Sequence, residues 1–560
     1  MELTTARTPA PPAAAAPRRA RVSGWVVASG AIAIVMVAPL LALPASFFRG
    51  GVGFDTLARL LLPDALRTSL LLAGGVGIGT LLVGGGLAVL ISFYDFPGRK
   101  WLDWALVLPM AMPGYVLVFV VLGLFDVDSP LQSSLFGSFH IPGIRTTFGG
   151  ICILTAVLYP YVYVLGRSAF LGQSRQTLEA ARSLGRSRGG AIRSVALPLA
   201  RPALAGGVAL AVMEALADFG TVNLLGIRAL TNAIYRVWNG AFDEASALQL
   251  ATVLLTLTLA LITIERLLRG RARYNQSLAR GDAVEPQPLR GWKRWLAPVA
   301  PCLLLAVVFV IPVAQLVAWS LETIREGTTV PNLRDAVWNT VFLGVITAAI
   351  APVIAIVLVY GMRLHGSRTN RVFTRLSTVG YAIPGTVIAV AVYVPLVWLD
   401  RRFVDFADSA FDASIDLIFT GSILGLVFAY LVRFNALSFM STDARMQHVD
   451  PRLDDAARSL GADRARVLAD VHLPLLRPGL IAGALLVLVE VMKELPATAL
   501  LRPLGRDTLA ITVWEATKDS RLDAAALPAL LIVLIGLVPV IVLVRLLRAE
   551  GWTSAADQFG

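Results

Sequence analysis

The sequence predicts an all-α integral membrane protein built of two tandem six-helix repeats, and three observations carry that prediction. Of the 560 residues, 56% are hydrophobic and only 15% are charged. The apolar residues gather in blocks of about 20, the length that spans a bilayer as a helix. The chain also matches itself. At an offset of 276, Glu179 to Glu214 aligns with Asp455 to Glu490, and 17 of those 36 positions are identical. At an offset of 271, Ala111-Met112-Pro113-Gly114 meets Ala382-Ile383-Pro384-Gly385, and Thr68-Ser69 meets Asn339-Thr340.

In chain order the blocks place about 12 transmembrane helices, near 25–47, 68–93, 102–125, 148–171, 203–225, 247–265, 296–320, 338–360, 376–399, 416–440, 479–501 and 526–548. Residues 1–24 are Ala/Pro-rich, with Arg18, Arg19 and Arg21 beside the first span, and read as a disordered cytoplasmic N-terminus leading into an uncleaved anchor. The first repeat covers 25–265 and the second 295–548. An Arg-rich flexible cytoplasmic linker containing Pro286 and Pro288 joins them at 266–294, and 549–560 is a tail. Each repeat has an even number of spans. Both therefore enter the membrane in the same sense, related by an axis along its normal.

With both termini cytoplasmic, 34 of the 49 Arg and Lys residues fall on the cytoplasmic side, which is the positive-inside bias. The net charge of +12 thus reports topology, and nucleic acid is set aside as a partner. Cys152 and Cys302 lie in separate spans and suit neither a metal nor a redox pair.

The repeated word is polar: Glu179-Ala180-Ala181-Arg182-Ser183-Leu184-Gly185, and again Asp455-Ala456-Ala457-Arg458-Ser459-Leu460-Gly461. Ser174 and Asp450 suit the N-cap, Pro451 the first helical position, and Gly185 and Gly461 the residue just past the end. Each word is then a short capped helix between spans four and five of its repeat. The alanines predict a small-residue face for close packing of another protein. Pro198, Pro202, Pro474 and Pro478 are expected to bar a continuous helix beyond it and to bend the chain before the next span.

Glu-Ala-Ala, Gly185, Val195 and Leu197-Pro198, repeated as Asp-Ala-Ala, Gly461, Val471 and Leu473-Pro474, resemble the cytoplasmic signature of inner-membrane permeases of ATP-binding-cassette (ABC) importers. Val stands twice where that family usually has Ile, and Asp455 replaces Glu. The resemblance implies the transmembrane domain of a type I ABC importer, with Glu179, Ala180, Ala181, Arg182, Gly185, Leu197, Pro198, Asp455, Ala456, Ala457, Arg458, Gly461, Leu473 and Pro474 forming two helices that receive a cytoplasmic ABC ATPase dimer. ATP is then used by the partner, with no cofactor bound by this chain. None of its lysines (Lys100, Lys293, Lys493, Lys518) follows a glycine, so a Gly-Lys-Ser/Thr phosphate loop is absent. The expected role is that of a transport subunit, not an enzyme, in the bacterial cell inner membrane.

The span after each docking helix carries charges: Glu214 and Asp218 first, then Glu490, Lys493 and Glu494. Charges at membrane depth are costly, so these are candidates for the translocation path or gate, with structural pairing across the repeats as the alternative. Glu490 reaches Lys493 and Glu494 at helical spacings of three and four. The stretches Leu216 to Val222 and Lys493 to Pro503 resemble the corresponding segments of fused twelve-span permeases for ferric iron, which are served by a periplasmic iron-binding protein. Thiamine permeases are the nearest rivals, and permeases for polyamines, sulfate or molybdate share the docking signature. An ion-coupled secondary transporter is the competing class, with the intramembrane carboxylates as coupling sites. A membrane-embedded enzyme is a third option.

No metal site is expected in the chain itself. His140, His365, His448 and His472 are scattered over loops on both sides, and no pair has metal-ligand spacing. Asp405, Asp408, Asp412 and Asp416 read as a solvated acidic loop.

Overall fold

The apolar blocks fold as helices whose bounds repeat with the offsets seen in the sequence. A computed structural model describes residues 24–48, 54–125, 143–269, 285–327, 330–411 and 416–556. The expected N-terminal lead, most of the linker, the last residues of the tail, His140 and Asp412 lie outside them.

The first repeat contains α1 (Gly24–Ala45), α2 (Leu62–Phe93), α3 (Gly114–Phe125), α4 (Thr147–Leu171), α5 (Arg175–Ser183), α6 (Arg188–Ala217), α7 (Leu230–Gly240) and α8 (Glu244–Arg269). The second contains α9 (Trp292–Arg325), α10 (Leu333–Leu364), α11 (Gly385–Phe411), α12 (Ile423–Gln447), α13 (Pro451–Ser459), α14 (Arg464–Met492), α15 (Leu509–Lys518) and α16 (Leu522–Ala556). Like caps recur at like places: the Thr146 hydroxyl accepts from Gly149 N ahead of α4, and the Ser422 hydroxyl from Gly425 N ahead of α12.

Among the described residues, ten helices are long and apolar enough to cross a membrane, and eleven if the bent pair 99–111 and Gly114–Phe125 is counted as one. The expected spans are not all continuous helices. The third block of each repeat is broken where the matched Met112-Pro113-Gly114 and Ile383-Pro384-Gly385 stand, because proline cannot extend the helix before it. In the first repeat the two pieces meet at 90°.

The expected bend after each docking helix is also corrected. α6 and α14 run on unbroken through their prolines, and a turn of π-helix, Ile192–Ala196 or Val467–His472, precedes Leu197-Pro198 and Leu473-Pro474. The wider turn takes up one extra residue, and Leu197 N–H reaches back to Ile192 O, so the proline ring meets no carbonyl one turn earlier.

Close helix contact depends on small residues, as membrane interfaces require. A Cβ on Gly84 would lie 2.5 Å from Tyr159 O, and one on Gly207 would lie 2.7 Å from Val162 Cα, so α2, α4 and α6 touch backbone to backbone. Sequence repeats and packing units do not coincide. α1 and α8 of the first repeat pack on α11 of the second, and α16 of the second packs on Leu108–Ala111 and α3 of the first, so each of the two main apolar cores draws residues from both repeats. The linker's far end is anchored too: Gln287–Pro288 (β2) pairs in parallel with Tyr94–Asp95 (β1), and Leu289 N donates to Asp95 O at 3.0 Å.

Candidate functional site

The two polar words fold as the helices α5 and α13, on the same side of the membrane as the C-terminal end of α2. Each closes with the same double bond pattern. Gly185 N donates to Arg182 O at 2.9 Å and Arg186 N to Ala181 O at 3.2 Å, while Gly461 N donates to Arg458 O at 2.9 Å and Ala462 N to Ala457 O at 3.0 Å. Both glycines sit at φ +84°, the left-handed region.

The small-residue face divides between two surroundings. Ala181 is buried and Ala457 half-buried against the rest of the chain, whereas Ala180, Ala456, Glu179 and Asp455 are exposed. Leu184 and Leu460, which the sequence reading did not single out, are 86% and 89% exposed beside them. Matched, almost bare leucines at the ends of two polar helices form apolar tips suited to a partner's socket.

The inner attachments of the two helices differ. α5 rests on buried Leu178 and Ala181, and Arg188 Nη2 donates to Phe93 O at 3.0 Å. Arg175 bonds Glu179 at 2.6 Å and Glu285 of the linker at 3.2 Å. In α13 the position of Leu178 is taken by Asp454, which is buried between Arg363 of α10 (3.2 and 3.3 Å) and His472 of α14 (2.8 Å). His472 is therefore not a loop residue. Burial works to raise the Asp454 pKa, but hydrogen bonds from Arg363 and His472 outweigh it and hold the carboxyl below its ordinary range.

The intramembrane charges gather where the two repeats meet, around a cavity of about 110 Å³ lined by Glu214, Asp218, Glu490, Lys493, Glu494 and Arg433 together with Tyr115 and Tyr161. They fall into two groups. Asp218 and Glu494 hold breaks in the backbone: Asp218 accepts from Thr221 N at 2.8 Å and Val222 N at 3.3 Å, and Glu494 from Ala497 N and Thr498 N, both at 3.0 Å. Each packs against the glycine of the broken third span. A Cβ on Gly114 would collide with Thr221 Oγ1, and one on Gly385 with Arg433 Nη1.

Glu490 takes Lys493 at 2.8 Å. Glu494 takes neither of these two. Its partner is Arg433 at 2.7 Å, which stands inside α12. The remaining carboxylate, Glu214, faces the same cavity from α6. Tyr115 Oη is buried without a hydrogen-bond partner among the described residues.

Beyond this cavity, Phe219, Tyr235 and Trp514 pack in tilted and edge-on contacts with ring centroids 4.7–5.6 Å apart, and Trp514 Nε1 donates to Asn223 Oδ1 at 3.0 Å across the repeats. The two halves are built alike here. Ser69 Oγ accepts from Leu230 N at 2.9 Å, and Thr340 Oγ1 accepts from Leu509 N at 2.8 Å.

The Fe(3+)-transport system permease protein FbpB 2 of Haemophilus influenzae is 25% identical over 498 residues, spanning 87% of this chain and 91% of the relative. The sulfate transport system permease protein CysT of Salmonella typhimurium is 29% identical over 212 residues, 37% of this chain and 76% of the relative. The molybdate/tungstate transport system permease protein WtpB of Thermococcus kodakarensis is 27% identical over 210 residues, 37% of this chain and 79% of its own. The family described as binding-protein-dependent transport system inner membrane component matches twice, at residues 81–273 and 341–549, once per repeat. With most of its length covered by these two matches, the chain belongs to that family of ABC transporter permeases, as a fused, multi-pass membrane protein.

Proposed function

We propose that this chain is the permease subunit of an ABC importer that moves ferric iron into the cytoplasm. A periplasmic binding protein delivers the iron, and a cytoplasmic ABC ATPase dimer docks on α5 and α13 and supplies the energy. Both termini are cytoplasmic in this reading, which puts the docking helices on the ATPase side.

The observation that carries the cargo assignment is the charge of the central cavity. Four carboxylates, Glu214, Asp218, Glu490 and Glu494, face two cations, Lys493 and Arg433. A desolvated cavity with excess negative charge favours a passing cation and opposes an oxyanion. The iron permease is also the relative among the three compared above that spans both repeats. Its cargo and this cavity point the same way.

Sulfate or molybdate is the rival, raised by the relatives that match one repeat. Uptake of radioactive ferric iron and of radioactive sulfate is to be measured in a deletion strain expressing this chain with its ATPase and binding protein. ATP-dependent iron uptake without sulfate uptake is expected. The reverse result would overturn the cargo, and uptake abolished by a protonophore but unchanged by loss of the ATPase would overturn the class.

A further inference from the structure

A groove of about 940 Å³ runs along the outside of the first repeat between α2, α6 and α8. Its walls are apolar side chains of helices long and apolar enough to cross the membrane, among them Leu82 (69% exposed) and Ile264 (51% exposed). At the docking-helix end the wall changes character. Arg193 and Arg201, two turns apart on α6, are both exposed and both line the groove. Among the described residues neither guanidinium has an ion-pair or hydrogen-bond partner. Glu265 is the single acid on the wall, so the rim is net positive.

The groove exists because side chains are missing. Gly85 and Gly86 form its floor on α2, and a Cβ on Gly86 would meet nothing within 4 Å. The second repeat is an internal control. At the corresponding positions of α10 stand Ile356 and Val357, and Arg193 is replaced by Ala469, although Arg201 keeps its counterpart, Arg477. Repeat symmetry alone therefore does not require an open slot with two cations at its mouth. The first repeat has both features together.

We propose that this groove is a binding site for one anionic phospholipid of the leaflet on the docking-helix side. Its acyl chains lie along the Leu82 and Ile264 walls over Gly85 and Gly86, and Arg193 and Arg201 hold its headgroup phosphate. An apolar slot open to the bilayer takes acyl chain, and a basic pocket between membrane helices near the cytoplasmic surface attracts an acidic headgroup. The size lies at the upper end of small-ligand sites. Leu197, the first residue of the Leu-Pro signature, lines the groove between Arg193 and Arg201, so the lipid would sit against the root of the docking segment.

The test is native mass spectrometry of the full-length chain, purified in mild detergent and exchanged with phosphatidylglycerol or phosphatidylcholine. One phosphatidylglycerol is expected to survive per chain, with phosphatidylcholine lost. Each guanidinium near a membrane surface contributes about fivefold, so Arg193→Ala with Arg201→Ala is expected to weaken retention about 30-fold. Gly86→Val, which borrows the second repeat's residue, should expel the lipid by filling the slot. Arg477→Ala should change nothing. Equal retention of both lipids, unchanged retention in the double variant or Gly86→Val, or an equal loss in Arg477→Ala would overturn the proposal. A co-purifying protein helix cross-linked into the groove in place of lipid would also overturn it.

Discussion

Arg433 Nη1 donates to Glu494 Oε1 at 2.7 Å inside the membrane, with the two side chains 11% and 1% exposed. The first repeat has Val157 at the place of Arg433 and Asp218 at that of Glu494, so the same break in the fifth span is held with one charge there and two here. Removing one partner of a buried pair strands the other, at about 3–5 kcal/mol. Arg433→Met should therefore lower the thermal midpoint of the nanodisc-embedded chain sharply. Adding Glu494→Gln should recover part of the loss, and a double variant no more stable than Arg433→Met would rule out stranded charge as the cause.

Gly114 and Gly385 leave no room for a side chain against Thr221 and Arg433. Their alanine variants should each cost about 1–3 kcal/mol by overpacking. Gly86→Ala, with open space around its Cβ, is the control expected to stay near wild type in the same melt.

The docking surface is expected to act through its leucine tips. Leu184→Asp with Leu460→Asp places charges where two exposed apolar side chains stand, on helices whose inner contacts are untouched. Membrane insertion should be normal and co-purification of the ATPase lost. Capture at wild-type level would remove these leucines from the interface. Gly185→Val is different in kind: it forces a branched residue to φ +84° and should cost about 1–2 kcal/mol in helix closure.

Much of this was legible in the sequence because periodicity and local chemistry set it. The places of most helices followed from apolar blocks, the caps of α5 and α13 from Ser174, Asp450, Gly185 and Gly461, and the repeat from identity at fixed offsets. What escaped depends on three-dimensional neighbours. Arg433 is one residue in an apolar block, and nothing near it in the chain marks Glu494, 61 positions on, as its partner. Trp514 meets Asn223 at a separation of 291 residues. The unbroken passage through Leu197-Pro198 came with a π-turn, which no local propensity specifies. The exchange of α1, α8 and α16 across the repeats arises from packing, to which self-alignment is blind.

Asp454 gives a pH dependence of known sign. Its carboxyl is held below the ordinary range, so its contribution is full above the unfolded carboxyl value of about 3.9 and disappears as pH falls through the folded value. The difference in melting temperature between wild type and Asp454→Asn should be present at about pH 5 and vanish in stronger acid. Leu178→Ala, the apolar counterpart on α5, should destabilise by about 2–5 kcal/mol with no such acid limb. An acid limb in both variants would trace the effect to some other group.

Glu214 is the cavity carboxylate least tied to the fold: it shares a hydrogen bond with the Tyr381 side chain and takes neither a backbone N–H nor a cation among the described residues. Asp218 and Glu494 each hold backbone N–H groups and Glu490 is paired with Lys493, so neutralising any of these disturbs structure as well as charge. Glu214→Gln keeps the shape of the side chain and removes one negative charge from a low-dielectric chamber, where a charge contributes several kcal/mol. If that charge attracts the passing cation, iron uptake should fall at least about tenfold, equivalent to roughly 1.4 kcal/mol. ATPase capture and the melting temperature should stay at wild-type values. Restoring charge at one remove, with Glu214→Asp, should recover part of the uptake. A Gln variant that transports iron normally would leave Glu214 a bystander and shift the selectivity to the structural carboxylates, whereas one that melts early would make it a structural residue like Asp218.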